Sequence, residues 1–229
     1  MLYTEEAVKA NIRNRDGQRV FYLGEQDRLT PGARDYLNAQ RIKILPAQQA
    51  RPDHYRLPGG GVLTEKPEYM THLHSNVLVD KTHPRIAFRG AVDTLEAELL
   101  TCQAQMPPDI APRVGELLAL ARELIACEVL SREVKWERLL GMTEAELRSR
   151  SHRPQDYYGI AHFMPEAADG MVILLLNRCR CAIRSAELAA ARAFRDMDGG
   201  CTRGDILRAL NRMSSGAYLL MLQEKAKRR

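Results

Sequence analysis

This chain is poor in aromatic residues, lacks any apolar run long enough to cross a bilayer, and has no cysteine spacing suited to a disulfide framework. Each absence removes a class of function. One Trp and four Phe among 229 residues, with no base-reading motif, argue against nucleic-acid recognition despite a net charge of +5. The opening stretch MLYTEEAVKANIRNRDGQ lacks the apolar centre of a secretory signal, so the expected location is the cytoplasm, with no membrane partner. The five cysteines (Cys102, Cys127, Cys179, Cys181, Cys201) are odd in number and scattered, which suits reduced thiols. Cys179 and Cys181 stand two apart, and on a helix such side chains diverge by about 200°, so they do not share an ion. No metal-ligating residue is assigned.

What is present is a globular composition, 45% apolar and 28% charged, enough for one main domain with an appendage. Residues 1–50 read as a small strand-helix-strand module. Strand-like RVFYL (19–23) and RIKIL (41–45) flank LTPGARDYL, in which Thr30 is a sound N-cap before Pro31. Residues 51–76 are rich in Pro, Gly and polar side chains and read as a linker. Over 77–229, apolar-periodic runs near 85–106, 110–139, 143–150, 166–197 and 203–227 predict about five helices. Pro107-Pro108, Gly141, Pro154 and Gly199-Gly200 mark the breaks. The expected fold is mainly α, an up-and-down helical bundle with a small N-terminal α/β appendage.

The run MVILLLNRCRCAIRSAELAAARAF (171–194) carries the chemistry. Arg180, Arg184 and Glu187 stand at i, i+4 and i+7, so at about 100° per residue they fall within roughly 60° of one another. Two guanidinium groups and a carboxylate among Leu, Ile and Ala are costly unless they are paired or hold something charged. A solvated helix edge is the plain alternative. Two further segments favour a pocket. Asn211, Arg212, Ser214 and Ser215 interrupt the apolar helix ILRALNRMSSGAYLLMLQ, and Lys81 and Asp93 sit around the start of another.

Taken in order, TEKPEYMTHL (64–73), VLVDKTHPRIAFRGAVDTLEAEL (77–99), HFMPEAADG (162–170), RCAIRSAE (180–187) and LNRMSS (210–215) closely resemble the ATP:cob(I)alamin adenosyltransferases of ethanolamine utilisation, the EutT type, which look related to the PduO-type enzymes. Each motif alone is weak; five in the expected order are specific. The resemblance implies transfer of the 5′-deoxyadenosyl group of ATP to cob(I)alamin, with tripolyphosphate leaving. It implies a helical-bundle subunit in a homo-oligomer, a trimer, with sites between subunits. The implied small molecules are ATP with a divalent cation such as Mg2+, cobalamin as substrate, and an electron donor such as a reduced flavin. Implied protein partners are ethanolamine ammonia-lyase and the shell proteins of a bacterial microcompartment, which would then be the location.

By the same resemblance, Arg184 grips the phosphates of ATP, Arg180 pairs with Asp93 across the subunit interface, and Glu187 holds the nucleotide directly or through a metal ion. Asn211 contacts ATP with Arg212 beside it, and Lys81, on the ATP loop that begins within 51–76, meets the far end of the triphosphate. The corrin is expected against an apolar wall, for which Phe88, Phe163, Met164 and Phe194 are candidates. Departures are plain too. Ser185, Glu96 and Ser215 replace Arg, Asn and Asp of the propanediol-type pattern, and the cysteine cluster of some ethanolamine-type enzymes is absent between His54 and His72. They leave open a non-catalytic cobalamin-binding chaperone or microcompartment adaptor with the same fold. For residues 1–50, a docking module and a lid over the ATP site both stay open.

Overall fold

The computed structural model describes residues 1–15, 17–47 and 54–228. It divides into two compact units, Met1–Asp80 and Lys81–Arg229. The expected junction near residues 50 and 51 lies outside the described residues.

The first unit begins with β1 (Leu2–Tyr3), α1 (Glu5–Asn11), β2 (Arg13–Arg15), β3 (Gln18–Leu23), β4 (Arg28–Leu29), α2 (Pro31–Ala39) and β5 (Lys43–Pro46). The strand-helix-strand expectation corresponds to β3, α2 and β5, with β3 and β5 parallel and β2 antiparallel on β3. Thr30 accepts the Ala33 N–H at 3.3 Å and Pro31 opens the helix, as the sequence indicates. Val8, Phe21, Ala33, Leu37 and Ile42 form the core of this module.

The segment read as a linker is more ordered than expected. It contains β6 (Tyr55–Arg56), β7 (Val62–Leu63) and β8 (Met70–His74), and β9 (Val77–Asp80) follows where the bundle was expected to begin; the strands lie in the order β7-β6-β9-β8. These strands are two to five residues long, too short for alternation to show against a Gly- and Pro-rich background.

The second unit holds α3 (Pro84–Ala104), α4 (Ala111–Val129), α5 (Glu144–His152), α6 (Pro154–Tyr158), α7 (Gly170–Ala193) and α8 (Gly204–Ala226). The four long helices pack as a ring in the order α3-α4-α8-α7, each antiparallel to its neighbours. Arg122 reaches Glu96, Arg113 reaches Gln223, Asn211 reaches Glu187 and Arg178 reaches Glu98 across the four seams. The bundle expectation therefore holds, with α5 added against α8.

One helix is shorter than the periodicity over 110–139 implies. At its end Ser131 takes a left-handed φ of 52°, and the Arg132 N–H donates back to the Cys127 carbonyl at 2.8 Å. Apolar residues beyond it, such as Val134 and Leu139, are buried from a loop rather than a helix, so apolar spacing alone overran the terminus.

At the same end of the bundle lies Glu128, fully buried. Its two carboxylate oxygens accept from Arg85 Nε at 2.6 Å and Arg89 Nε at 2.7 Å, tying α4 to the first turns of α3. His83 caps α3 by accepting the Arg85 N–H at 3.2 Å, and burial, followed by the Arg85 and Arg89 charges, pushes its imidazole below the usual range. Phe88 and Phe194 pack edge to face beside this network, with ring centroids 5.3 Å apart. Arg203 and Asp205 pair at 2.8 Å, and Asp205 also accepts the Val134 N–H at 2.9 Å.

Replacing Glu128 with Ala strands two guanidinium groups around an emptied site and is expected to cost about 3 kcal/mol in denaturant unfolding; a loss below about 1 kcal/mol would contradict the assignment. Asp205 supplies a pH signature. Its hydrogen bond from Arg203, aided by the Val134 N–H, holds its carboxyl down at about 2 against an ordinary 3.8. A depressed folded-state pKa stabilises fully above the ordinary value and is lost as pH falls towards the folded one. Asp205→Asn should therefore flatten the stability profile between about pH 4 and pH 2, while an unchanged slope would count against that pairing.

Candidate active site

Helix α7 buries Ile173, Leu176, Cys179, Ile183, Ala186 and Ala190 at spacings of three and four residues. That pattern commits one stripe to the core and leaves Asn177, Arg180, Arg184 and Glu187 along its edge. Cys179 is part of the buried stripe. The adjacent Cys102 thiol, and then burial, pushes the Cys179 thiol upward, so it stays protonated and packs as a small apolar group. The cysteines are free thiols.

Arg180 is positioned locally. Its Nε and Nη2 donate to Asn177 Oδ1 at 3.1 and 2.9 Å, one helical turn earlier. Arg184 is exposed and has no hydrogen-bonding or ionic partner among the described residues. Both guanidinium groups line a cleft of about 450 Å³ together with Ser214 and Ser215 of α8. The same cleft is lined by the apolar side chains of Phe163, Met164, Pro165 and Met221, with Tyr218, His152 and His162 among them. A single opening thus brings two guanidinium groups together with apolar side chains.

One turn further along α7, Glu187 meets α8. Asn211 Nδ2 donates to Glu187 Oε1 at 2.9 Å, and Arg212 Nη2 donates to Asn211 Oδ1. Arg212 Nε and Nη1 are buried without a partner among the described residues. A buried guanidinium with two idle donors is costly, which fits a group waiting for an anion. The structure therefore assembles Arg180, Arg184, Glu187, Asn211 and Arg212 along the α7–α8 seam.

Lys81 and Asp93 stand apart from this set. Lys81 is exposed just before α3, and Asp93 is exposed on α3, where it makes no ion pair among the described residues. Neither lines the cleft. Of the four apolar candidates, Phe163 and Met164 line it, whereas Phe88 and Phe194 belong to the bundle core. Glu96, at a position where the propanediol-type pattern has Asn, accepts from Arg122 at 3.1 Å.

Sequence reasoning missed Asn177, His162 and Tyr218. Tyr218 could have been found, since it lies seven residues after Asn211 and so shares its face of α8. Among the described residues no three His, Cys, Asp or Glu side chains come together as a metal site, and no helix is long and apolar enough to cross a membrane.

Known proteins resemble this chain in sequence and in fold. The corrinoid adenosyltransferase EutT of Salmonella typhimurium is 29% identical over 98% of this chain and 92% of its own. The EutT of Escherichia coli K12 is 28% identical over 96% of this chain and 90% of its own. A single-residue variant of the PduO-type ATP:corrinoid adenosyltransferase from Lactobacillus reuteri, solved with cobalamin and ATP, shares the fold with a TM-score of 0.56 at 15% identity. It covers 70% of this chain and 89% of the other. The cobalamin adenosyltransferase family profile matches residues 62–224, and the chain belongs to that family.

Proposed function

We propose that this protein transfers the 5′-deoxyadenosyl group of ATP to cob(I)alamin at the α7–α8 cleft, and that a second copy of the chain completes the site. The observation that carries this reading is the cleft itself, which Arg180 and Arg184 line together with the apolar side chains of Phe163, Met164 and Met221. One reactant is a polyanion and the other a large macrocycle, and the cationic and apolar groups lining the cleft suit them in turn.

The reaction makes modest demands on a protein. The filled cobalt orbital of cob(I)alamin attacks C5′ of ATP, the C5′–O bond breaks, and its electron pair leaves on tripolyphosphate. No proton moves in that step. The chain has to align the two reactants, offset charge on the leaving group and keep water from the cobalt. Arg184, a permanent planar cation with no partner among the described residues, suits the leaving phosphates. Glu187, fixed through Oε1 by Asn211, offers its other oxygen to the nucleotide or to a divalent cation such as Mg2+ that arrives with ATP. Reduction of cob(II)alamin comes from an outside donor, for which a reduced flavin has suitable chemistry.

Several features support a second copy. Asp93 lies on an exposed α3 surface with small neighbours at Gly90, Thr94 and Ala97, and Leu188 of α7 is 63% exposed. Small side chains permit close approach of another helix, and Asp93 of a second copy would then meet Arg180, which Asn177 already aims. Lys81 would reach the triphosphate in the same way, from a neighbouring subunit in a cyclic trimer. A non-catalytic cobalamin carrier would need the apolar lining but has no use for the Arg184, Glu187 and Asn211 alignment.

Purified protein, ATP and chemically reduced cobalamin should yield adenosylcobalamin and tripolyphosphate together; an intact oligomer yielding neither would overturn the proposal. Arg184→Ala should lower kcat/KM for ATP by about 100-fold or more with little change in melting temperature, and unchanged kinetics would remove its phosphate role. In a double-mutant cycle on activity, Asp93→Ala and Arg180→Ala should couple by about 1–3 kcal/mol. Additive effects would refute their pairing.

A further inference from the structure

We propose that Tyr218 is a positioning residue for the corrinoid half of this reaction, holding the irregular segment 161–165 as a preformed wall of the cleft. This inference rests on the reaction proposed above and adds to it a specific device. The segment between α6 and α7 has no regular structure of its own before Ala167, yet His162, Phe163, Met164 and Pro165 all line the cleft. A loop that receives a large ligand must be ordered by something, or the ordering is subtracted from affinity.

Tyr218 orders it in two ways. Its hydroxyl accepts the Phe163 N–H at 3.2 Å and lies 3.3 Å from His162 Nδ1. His162 Nε2 lies 3.3 Å from the His152 carbonyl. One arrangement satisfies every group: the tyrosine donates to Nδ1, and Nε2 carries the proton and donates to His152. The phenol ring also stacks beside both neighbours, 5.9 Å from the His162 ring at 11° and 5.9 Å from the Phe163 ring at 29°.

A second clamp sits two turns along the same face of α8. Lys225 Nζ lies 4.6 Å over the Phe163 ring and pairs with Asp169 at 2.6 Å, while Asp169 accepts the Glu166 N–H at 2.9 Å. Tyr218 and Lys225, seven residues apart, therefore fasten the segment at both ends. Met164, held between them, is 83% exposed and faces the opening, an arrangement suited to covering by a broad apolar ligand.

Tyr218→Phe keeps the ring and removes the hydroxyl, so it isolates the clamp from simple packing. The variant should raise KM for cob(I)alamin by about three- to ten-fold, the range for one or two lost hydrogen bonds, while KM for ATP stays within about two-fold. Tyr218→Leu should raise it further and return the absorption spectrum of bound cob(II)alamin towards that of the free form. Should either Tyr218 variant fail to fold, Lys225→Met frees the other end and must show the same split between the two substrates. Wild-type protein that forms no adenosylcobalamin overturns the reaction itself. An active wild type whose Tyr218→Phe and Lys225→Met variants keep a normal corrinoid KM, or lose ATP affinity equally, overturns only the clamp.

Discussion

The packing of α7 between α3 and α8 is the constraint on which the rest depends. Burying Ile173, Leu176, Ile183, Ala186 and Ala190 against both neighbours fixes the rotation of the helix about its own axis. Once that rotation is set, Asn177, Arg180, Arg184 and Glu187 have one place to be, along the seam with α8. Small residues at 186 and 190 let α8 approach closely enough for Asn211 to reach Glu187. Functional geometry here is a by-product of which side of a helix is apolar, and a rotation of about 100°, one residue's worth, would bury the arginines.

The buried Glu128 network holds the N-terminal end of α3 and works on different terms. Two cations converge on one carboxylate with no exposure, which ties the chain entering the bundle to α4. Such an arrangement is weak evidence for net stability, but its geometry is specific, because both guanidinium groups must reach the same carboxylate. It fixes where α3 begins, and hence the level at which Asp93 stands.

Much of this was legible in the sequence, and the reasons differ by element. The four long helices were readable because each commits a continuous apolar stripe at a period near 3.6. The α7 stripe was readable because Arg and Glu at i, i+4 and i+7 interrupt that pattern. The sheet at 55–80 was not, since strands of two to five residues carry little periodicity, and the end of α4 was overrun because loop residues after Ser131 are apolar as well. Glu128 gave no local signal, flanked as it is by Cys127 and Val129; only the convergence of Arg85 and Arg89 from 43 and 39 residues away makes it meaningful. Phe163 and Met164 could not be told from Phe88 and Phe194 by composition, because lining a cleft and filling a core call for the same residue types.

In the proposed enzyme, groups from two copies meet at one site, Arg180 and Arg184 from α7 of one and Asp93 from α3 of the next. Subunit mixing tests it most directly. Two variants, Asp93→Ala and Arg184→Ala, each carry a lesion on opposite sides of the proposed junction. When co-assembled in equal amounts, about one junction in four regains both intact faces by random pairing. The mixture should make adenosylcobalamin at about a quarter of the wild-type rate, well above either variant alone. Activity no greater than the average of the two separate variants, in oligomers shown to contain both, would contradict it.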